Sequence, residues 1–456
     1  MASQRTSRFV SRRTFLGSLT AVVGAASAVP LLSACSTPSP AQPTAAPSSG
    51  QPAPTQAPAQ APVAGGTLSV LWIPGHKYKA LETFVAEFEK DFRCKVEFEY
   101  LEPPEARQKF LATAAAGAPS DLVEEDFMTQ EVAQMGYVEP LTKYVEKDGK
   151  AIGYPDDWQP SAVERQDLDG KHYGVQMFYT NLCLYYNKDM FAEAGISGPP
   201  TTWDAFLNAA LKTTKRTGNN TDVWGYVEHY QQRFGWMWFY QAGAQWYDPK
   251  TNKVLTDSPA AIEALQFQSD LIHKHKVAPE PKVEAGSANP RDLFIAGKTA
   301  MMTSGPWDIK PIITANPKFK WSIAVPPKGK VQATTSYGTG LLIPAKAKNK
   351  DLAWELVKKL SSLEWDLAVT KEANMVCPRK TWAQHADVQG NELIKPFAEA
   401  AAYAADYNAG IRLTGKGDLY TTLWQETFDN ILFGKMSAAD ALAQYTKQAN
   451  ETLSKA

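Results

Sequence analysis

"YYNKDMFAEAGISGPPTTWDAF" spans residues 185–206, and its punctuation can be read directly. The paired tyrosines belong to a strand. Gly195 stops a short helix, because glycine takes the left-handed cap conformation without a steric penalty. Pro199 and Pro200 then turn the chain into Thr202, whose hydroxyl suits the N-cap of a further helix. A strand and two helices within so short a stretch predict an α/β protein.

The same alternation opens the body of the chain. "TLSVLWI" (67–73) is rich in strand formers, and "KYKALETFVAEFEKDF" puts Tyr78, Leu81, Phe84, Val85, Phe88 and Phe92 on one helical face. "KVEFEYL" alternates Val96, Phe98 and Tyr100, "EARQKFLATAAAG" predicts a helix closed by Gly117, and "DLVEED" (121–126) predicts a third strand. This βαβαβ order predicts an open parallel sheet whose ligand lies beyond the carboxyl ends of the strands. Those ends are Trp72 to His76 and Glu124 to Asp126.

The first 65 residues are of another kind. Arg5, Arg8, Arg12 and Arg13 precede an apolar stretch interrupted by Gly17, Gly24, Ser27 and Pro30, the layout of an export signal rather than of a lasting membrane helix. "SRRTFLG" (11–17) resembles a twin-arginine export signal, and "LSAC" (32–35) resembles a bacterial lipobox, which implies a signal over 1–34 and a lipidated Cys35. Residues 36–64 hold eight prolines and neither a charge nor an aromatic side chain. With no apolar surface to offset the entropy of ordering, 35–65 is expected to be a tether, with ~90 Å of reach if fully extended as polyproline.

Charge and composition narrow the function. Without the four leader arginines the chain keeps 43 basic against 48 acidic residues, a net charge near −5 that argues against a nucleic-acid partner. All thirteen tryptophans lie after the tether, in a body of roughly 390 residues, enough for two lobes. Beyond Cys35 only Cys94, Cys183 and Cys377 remain; three buried thiols are expected, with a Cys94–Cys377 pair as the alternative. No metal site or cofactor is expected. "AGKTAM" (296–301) lacks the earlier glycine of a phosphate loop, since position 292 is Asp, and neither G-x-S-x-G nor a G-x-G-x-x-G after the first strand occurs. His273 and His275 lie two apart on a predicted helix and face different ways, so they are read as solvated. Glu124, Glu125 and Asp126 leave a glycoside hydrolase open as an alternative, since such enzymes need two opposed carboxylates.

The segment 185–206 closely resembles the "YNKDLF…AG…PP.TWDEF" block of family 1 extracellular solute-binding proteins, the receptors of ABC importers. In the same order, "YQAGAQWYDPKTNKV" (240–254), "LFIAGKTAMMTSGPWDI" (293–309) and "YGTGLLIPAKAKNKDLAWELVKKLSSLE" (337–364) resemble the family's hairpin, GPW block and glycine-led strand. This resemblance implies a two-lobed periplasmic-binding-protein fold of type II with a ligand cleft and three hinge crossings, expected near Phe178 to Asn181, Thr334 to Tyr337 and Cys377 to Lys380. Lobe 1 is then 66–178 plus 336–378, and lobe 2 is 179–335 plus 379–456. A monomer that hands its ligand to a membrane permease is implied, with no reaction catalysed.

Carbohydrate is the expected ligand. A pyranose offers an apolar C–H face to aromatic rings and hydroxyls to planar polar groups, and ten of the twenty-four residues from Trp224 to Tyr247 are aromatic. The resemblance makes Trp307 of "SGPW" the stacking residue, with Trp236 taken from the aromatic run. Position at the strand ends adds Trp72, His76, Glu125 and Asp126, of which the last two alternate in direction so that one should face inward. Tyr179 and Asn181 at the first hinge, Tyr337 and Gly338 at the second, and Arg412 in "YNAGIRLTGKGDLY" complete the candidates. Another polar solute, such as a glycerol phosphate, is the alternative within the binding class, and would need clustered cationic or N–H donors.

Overall fold

The computed structural model describes residues 65–126, 129–227, 229, 231–281, 289–406, 410 and 414–455, without the side chains of Asp126 and Gln232. The signal, Cys35, most of the tether and Arg412 lie outside the described residues.

Gly66–Trp72, Cys94–Tyr100 and Leu122–Asp126 form three parallel strands with the first in the middle, as the βαβαβ pattern requires. Between them run helices Lys79–Phe92 and Pro103–Ala115. The former buries Leu81, Val85 and Phe88 of its predicted apolar face together with Ala80, while Tyr78, Phe84 and Phe92 pack at its margin. Gly117, at a φ of +73°, closes the latter.

The sheet is not parallel throughout. Thr339–Leu342 inserts antiparallel between Leu122–Asp126 and Gly174–Gln176, giving five strands in all. Its partner strand lies some two hundred residues earlier, so local periodicity carries no trace of this pairing.

The second sheet centres on Cys183–Asn187, which pairs antiparallel with Met301–Ser304 and Trp321–Ala324. Here the quoted segment folds as its punctuation dictates. Asn187 Oδ1 accepts the N–H groups of Asp189 and Met190 at 3.1 and 3.0 Å, which starts the helix Lys188–Glu193. Gly195 ends it at a φ of +68°. Thr202 Oγ1 accepts the Ala205 N–H at 3.2 Å and caps Trp203–Thr213. Tyr247–Asp248 and Lys253–Val254 make the expected hairpin. The Gly-Lys-Thr triplet follows helix Pro290–Ile295, with Gly297 at a φ of +65°, and leads into Met301–Ser304, so it is turn chemistry. His273 is half-buried, and its Nε2 lies 2.9 Å from the Leu432 carbonyl, a contact between helices that the spacing alone does not predict.

A third, small sheet joins Thr180–Asn181, Thr334–Tyr337 and Ala404–Asp406. One large core surrounds Trp72, Phe88 and Trp365, and another surrounds Phe206, Trp236 and Trp424. Burying side chains of that size contributes about 2–3 kcal/mol each. Cys94, Cys183 and Cys377 are buried free thiols, and desolvation raises the pKa of each.

Candidate functional site

A cavity of about 250 Å³ opens where the first sheet meets the small one. It is lined by His76, Phe178, Thr180, Arg233, Trp307, Tyr337, Gly338, Thr339 and Met375. A larger hollow of about 570 Å³ is lined mainly by charged groups such as Lys143, Lys348, Lys350, Asp351 and Glu355, and contains none of the residues singled out in the sequence.

The first strand delivers one wall. Beyond Trp72 the chain makes a tight turn over Pro74–His76, held by the Trp72 indole N–H donating to the His76 carbonyl at 3.2 Å. The His76 ring meets the edge of Phe178 at 4.7 Å, and its Nδ1 lies 2.5 Å from Glu124 Oε1. Glu124 is 1 % exposed and also accepts the Ile73 N–H at 3.0 Å and the Thr339 hydroxyl at 2.8 Å. Three donors converge on one buried carboxylate, which fixes the turn and orients His76.

The other wall comes from the SGPW turn and the helix Gln232–Gln241. Ser304 Oγ donates to Asp308 Oδ2 at 2.6 Å, and the Tyr185 hydroxyl donates to the Gly305 carbonyl at 2.5 Å. Burial raises the Asp308 pKa, against the opposing pull of Ser304 and Arg291. The Trp307 indole folds back over Gly305 so closely that a Cβ there would lie 2.0 Å from the ring. This explains the glycine. Trp307 lies 5.8 Å from Tyr337, tilted by 32°, and meets Phe234 edge-on at 6.3 Å. At 37 % exposure it is the most exposed tryptophan among the described residues.

Gly338 sits at the floor with a φ of +137°, and a Cβ on it would come within 2.1 Å of the Phe178 carbonyl oxygen. Only glycine allows this approach of the two segments.

Of the sequence candidates, the structure brings together Trp307, His76, Tyr337 and Gly338. The others lie elsewhere. Trp236 is fully buried, stacked between Tyr420 at 4.7 Å and Trp424 at 4.5 Å. Trp72 is buried against the edge of Phe98 and supports the His76 turn from behind. Glu125 points away from Glu124 and accepts the Thr129 hydroxyl at 2.6 Å. Tyr179 is buried with its hydroxyl 2.9 Å from Ser161, and Asn181 donates to the Phe397 carbonyl at 2.9 Å. The Asp126 side chain and Arg412 lie outside the described residues.

Sequence reasoning passed over Phe178, Thr180, Arg233, Thr339 and Met375. The signal for Arg233 was present: it is a lone cation inside an aromatic run, three residues before Trp236. Among the described residues no group of three His, Cys, Asp or Glu side chains is placed to hold a metal ion.

Residues 74–366 match the family described as bacterial extracellular solute-binding protein. The diacetylchitobiose-binding protein of Streptomyces coelicolor is 28 % identical over 355 residues, covering 75 % of this chain and 79 % of that protein. Among solved structures, the GacH receptor of Streptomyces glaucescens, determined unliganded and with acarbose, is 25 % identical with a TM-score of 0.72, over 86 % of this chain and 98 % of that one. An ABC substrate-binding protein of Listeria monocytogenes in complex with cycloalternan gives a TM-score of 0.73 at 22 % identity, covering 86 % of this chain and all of that one, and so shares the fold. The fold is the mixed α/β, two-lobed type II periplasmic binding protein. With a glycine-built turn at its GPW block, capped helices at its YNKD segment and a match over well over half its length, the chain belongs to the bacterial extracellular solute-binding proteins.

Proposed function

We propose that the protein captures a mono- or oligosaccharide outside the cytoplasm and delivers it to an ABC permease, without catalysing a reaction. The observation that carries this reading is the half-open Trp307 ring beside Tyr337, in a cavity that also presents His76 and Arg233. An aromatic face for the sugar C–H surface and side-chain donors for its hydroxyls are what a pyranose needs. The carbohydrate ligands in the names of the relatives support the same reading.

The small sheet supports a hinge. Thr180–Asn181 and Thr334–Tyr337 coincide with the first two crossings inferred from the sequence, between lobe 1 (66–178 plus 336–378) and lobe 2 (179–335 plus 379–456). For the third we favour Ala404–Asp406 over 377–380. That strand pairs with Thr334–Ser336, whereas the Trp382 indole N–H donates to the Thr370 hydroxyl at 2.9 Å, within lobe 1. Closure would then be driven by a ligand touching both walls. Anchoring by a lipid on Cys35 and export by the twin-arginine route belong to the same proposal, and Cys35→Ser should release the protein from membranes on fractionation.

Calorimetric titration of the full chain with maltotriose, diacetylchitobiose and galacto-oligosaccharides, with chromatography of the recovered sugar, tests the reading. Saturable binding of at least one sugar recovered intact supports it. Cleaved sugar would favour the tethered hydrolase, and preference for glycerol phosphate over every sugar would favour the other receptor class.

A further inference from the structure

Resting on that saccharide reading, we infer that the natural ligand carries an oxyanion, a uronic acid carboxylate in the first instance, and that Arg233 selects it.

Arg233 lines the cavity from the first turn of helix Gln232–Gln241. A helix start is electropositive because its leading N–H groups have no partner within the helix, so acids are favoured there and cations are not. This helix places no acid in its first turn, and Gln231 at the N-cap makes no side-chain cap bond. The guanidinium is thus added to an end that is already positive, and nothing among the described residues neutralises it. Its contacts are ring faces, Phe234 at 5.3 Å and Tyr337 at 6.0 Å. Arg233 Nε is buried without a hydrogen-bond partner, as is Nε2 of His229, whose ring stacks on Phe234 at 3.9 Å.

The neighbouring arginine makes the contrast. Arg291 is matched by Asp308 at 3.3 Å and by Asp292 at 3.4 Å. Both of these acids pair with Arg291, and among the described residues none pairs with Arg233. Across the cavity Glu124 is already committed to three donors, and His76, with Nδ1 spent on Glu124, has only Nε2 left for a ligand. His229 responds to the local cations: burial first, then Arg233 and Arg291, lower its pKa to about 3. An unopposed buried donor costs free energy that a ligand acceptor would recover, and the planar guanidinium fork matches an oxyanion in a bidentate way that a single hydroxyl cannot.

A galacturonate trisaccharide, its neutral galactose counterpart and a hexose 6-phosphate, titrated into the full chain, give the test. The acidic trisaccharide should bind at least roughly tenfold more tightly than the neutral one, as expected of charge-assisted bonds. Arg233→Gln should lower affinity for the acidic sugar at least about ten times more than for the neutral one, with Arg233→Lys intermediate because it keeps charge but loses the fork. Should Arg233→Gln not fold, the wild type still decides: raising ionic strength from about 0.05 to about 0.5 M should weaken the acidic ligand selectively. Stronger binding of the sugar phosphate would keep the oxyanion and identify it as phosphate. Equal affinity for acidic and neutral sugars would overturn this inference while leaving the saccharide reading in place. Failure of every sugar to bind would remove the reading beneath it.

Discussion

On one side of the cavity the Ile73 N–H, the Thr339 hydroxyl and His76 all converge on the buried carboxylate of Glu124; on the other, Arg233 lies against two aromatic rings with no acid paired to it among the described residues, and Trp307 is partly open to solvent. The first wall pairs its donors with its own buried carboxylate and leaves only His76 Nε2 open. The second has left donors and ring surface uncommitted. On this account stability is concentrated in the first wall and affinity in the second, a division expected where a rigid frame must present adaptable contacts.

The sharpest way to break the contrast is Glu124→Ala. It strands three donors in a buried site and should lower unfolding free energy by about 3–5 kcal/mol in urea titrations. A stability like that of the wild type would mean the first wall is not held from within. Trp236→Ala should cost a similar amount, about 3–5 kcal/mol, because a fully buried ring leaves a cavity between Tyr420 and Trp424. The sugar affinity of the molecules that remain folded should be unchanged.

Trp307→Ala should behave in the opposite way. Loss of a stacking face in a cleft is expected to weaken saccharide binding by about 2–3 kcal/mol in calorimetry, with stability within about 1 kcal/mol of wild type. If it unfolds the protein and leaves affinity intact, the two walls have been assigned the wrong way round. Gly338→Ala, which drives a Cβ against the Phe178 carbonyl, should lower stability by about 1–3 kcal/mol. Binding should fall with it, because the floor joins both walls.

The smallest effect concerns acid. His229 has a folded pKa near 3 against an ordinary 6.5, so below pH 6.5 the unfolded chain binds a proton that the folded one refuses. The stability this group allows above pH 6.5 is lost as pH falls toward 3, at most about 2 kcal/mol of it by pH 5. His229→Phe keeps the stack on Phe234 and should flatten that part of the pH dependence in urea titrations at pH 7 and pH 5. An unaltered slope would show that another group sets it.

Much of this arrangement is legible in the sequence where the signal is local. The YNKD segment, with Thr202 as a cap and Gly195 as a stop, needs only neighbouring residues to be read, whereas the SGPW turn and Trp307 were indicated by resemblance to the family's GPW block. Period-two alternation indicated that adjacent acids at the end of the third strand point in opposite directions. It gave no phase, and the side toward His76 belongs to Glu124 rather than Glu125. Trp236 and Trp307 are alike as residues. What separates them is Tyr420 and Trp424, nearly two hundred residues downstream of Trp236, which cover the former and not the latter. The antiparallel strand Thr339–Leu342 was hidden for the same reason. Arg233 was passed over because a single cation in an aromatic run looks like a helix surface until its place in the cavity is seen.

Small-angle scattering of the full chain, free and saturated with a sugar that calorimetry shows to bind, tests the two-walled receptor most directly. The account predicts a smaller radius of gyration in the saturated sample, as the walls close on a ligand that touches both. Superimposable curves at full saturation would contradict it.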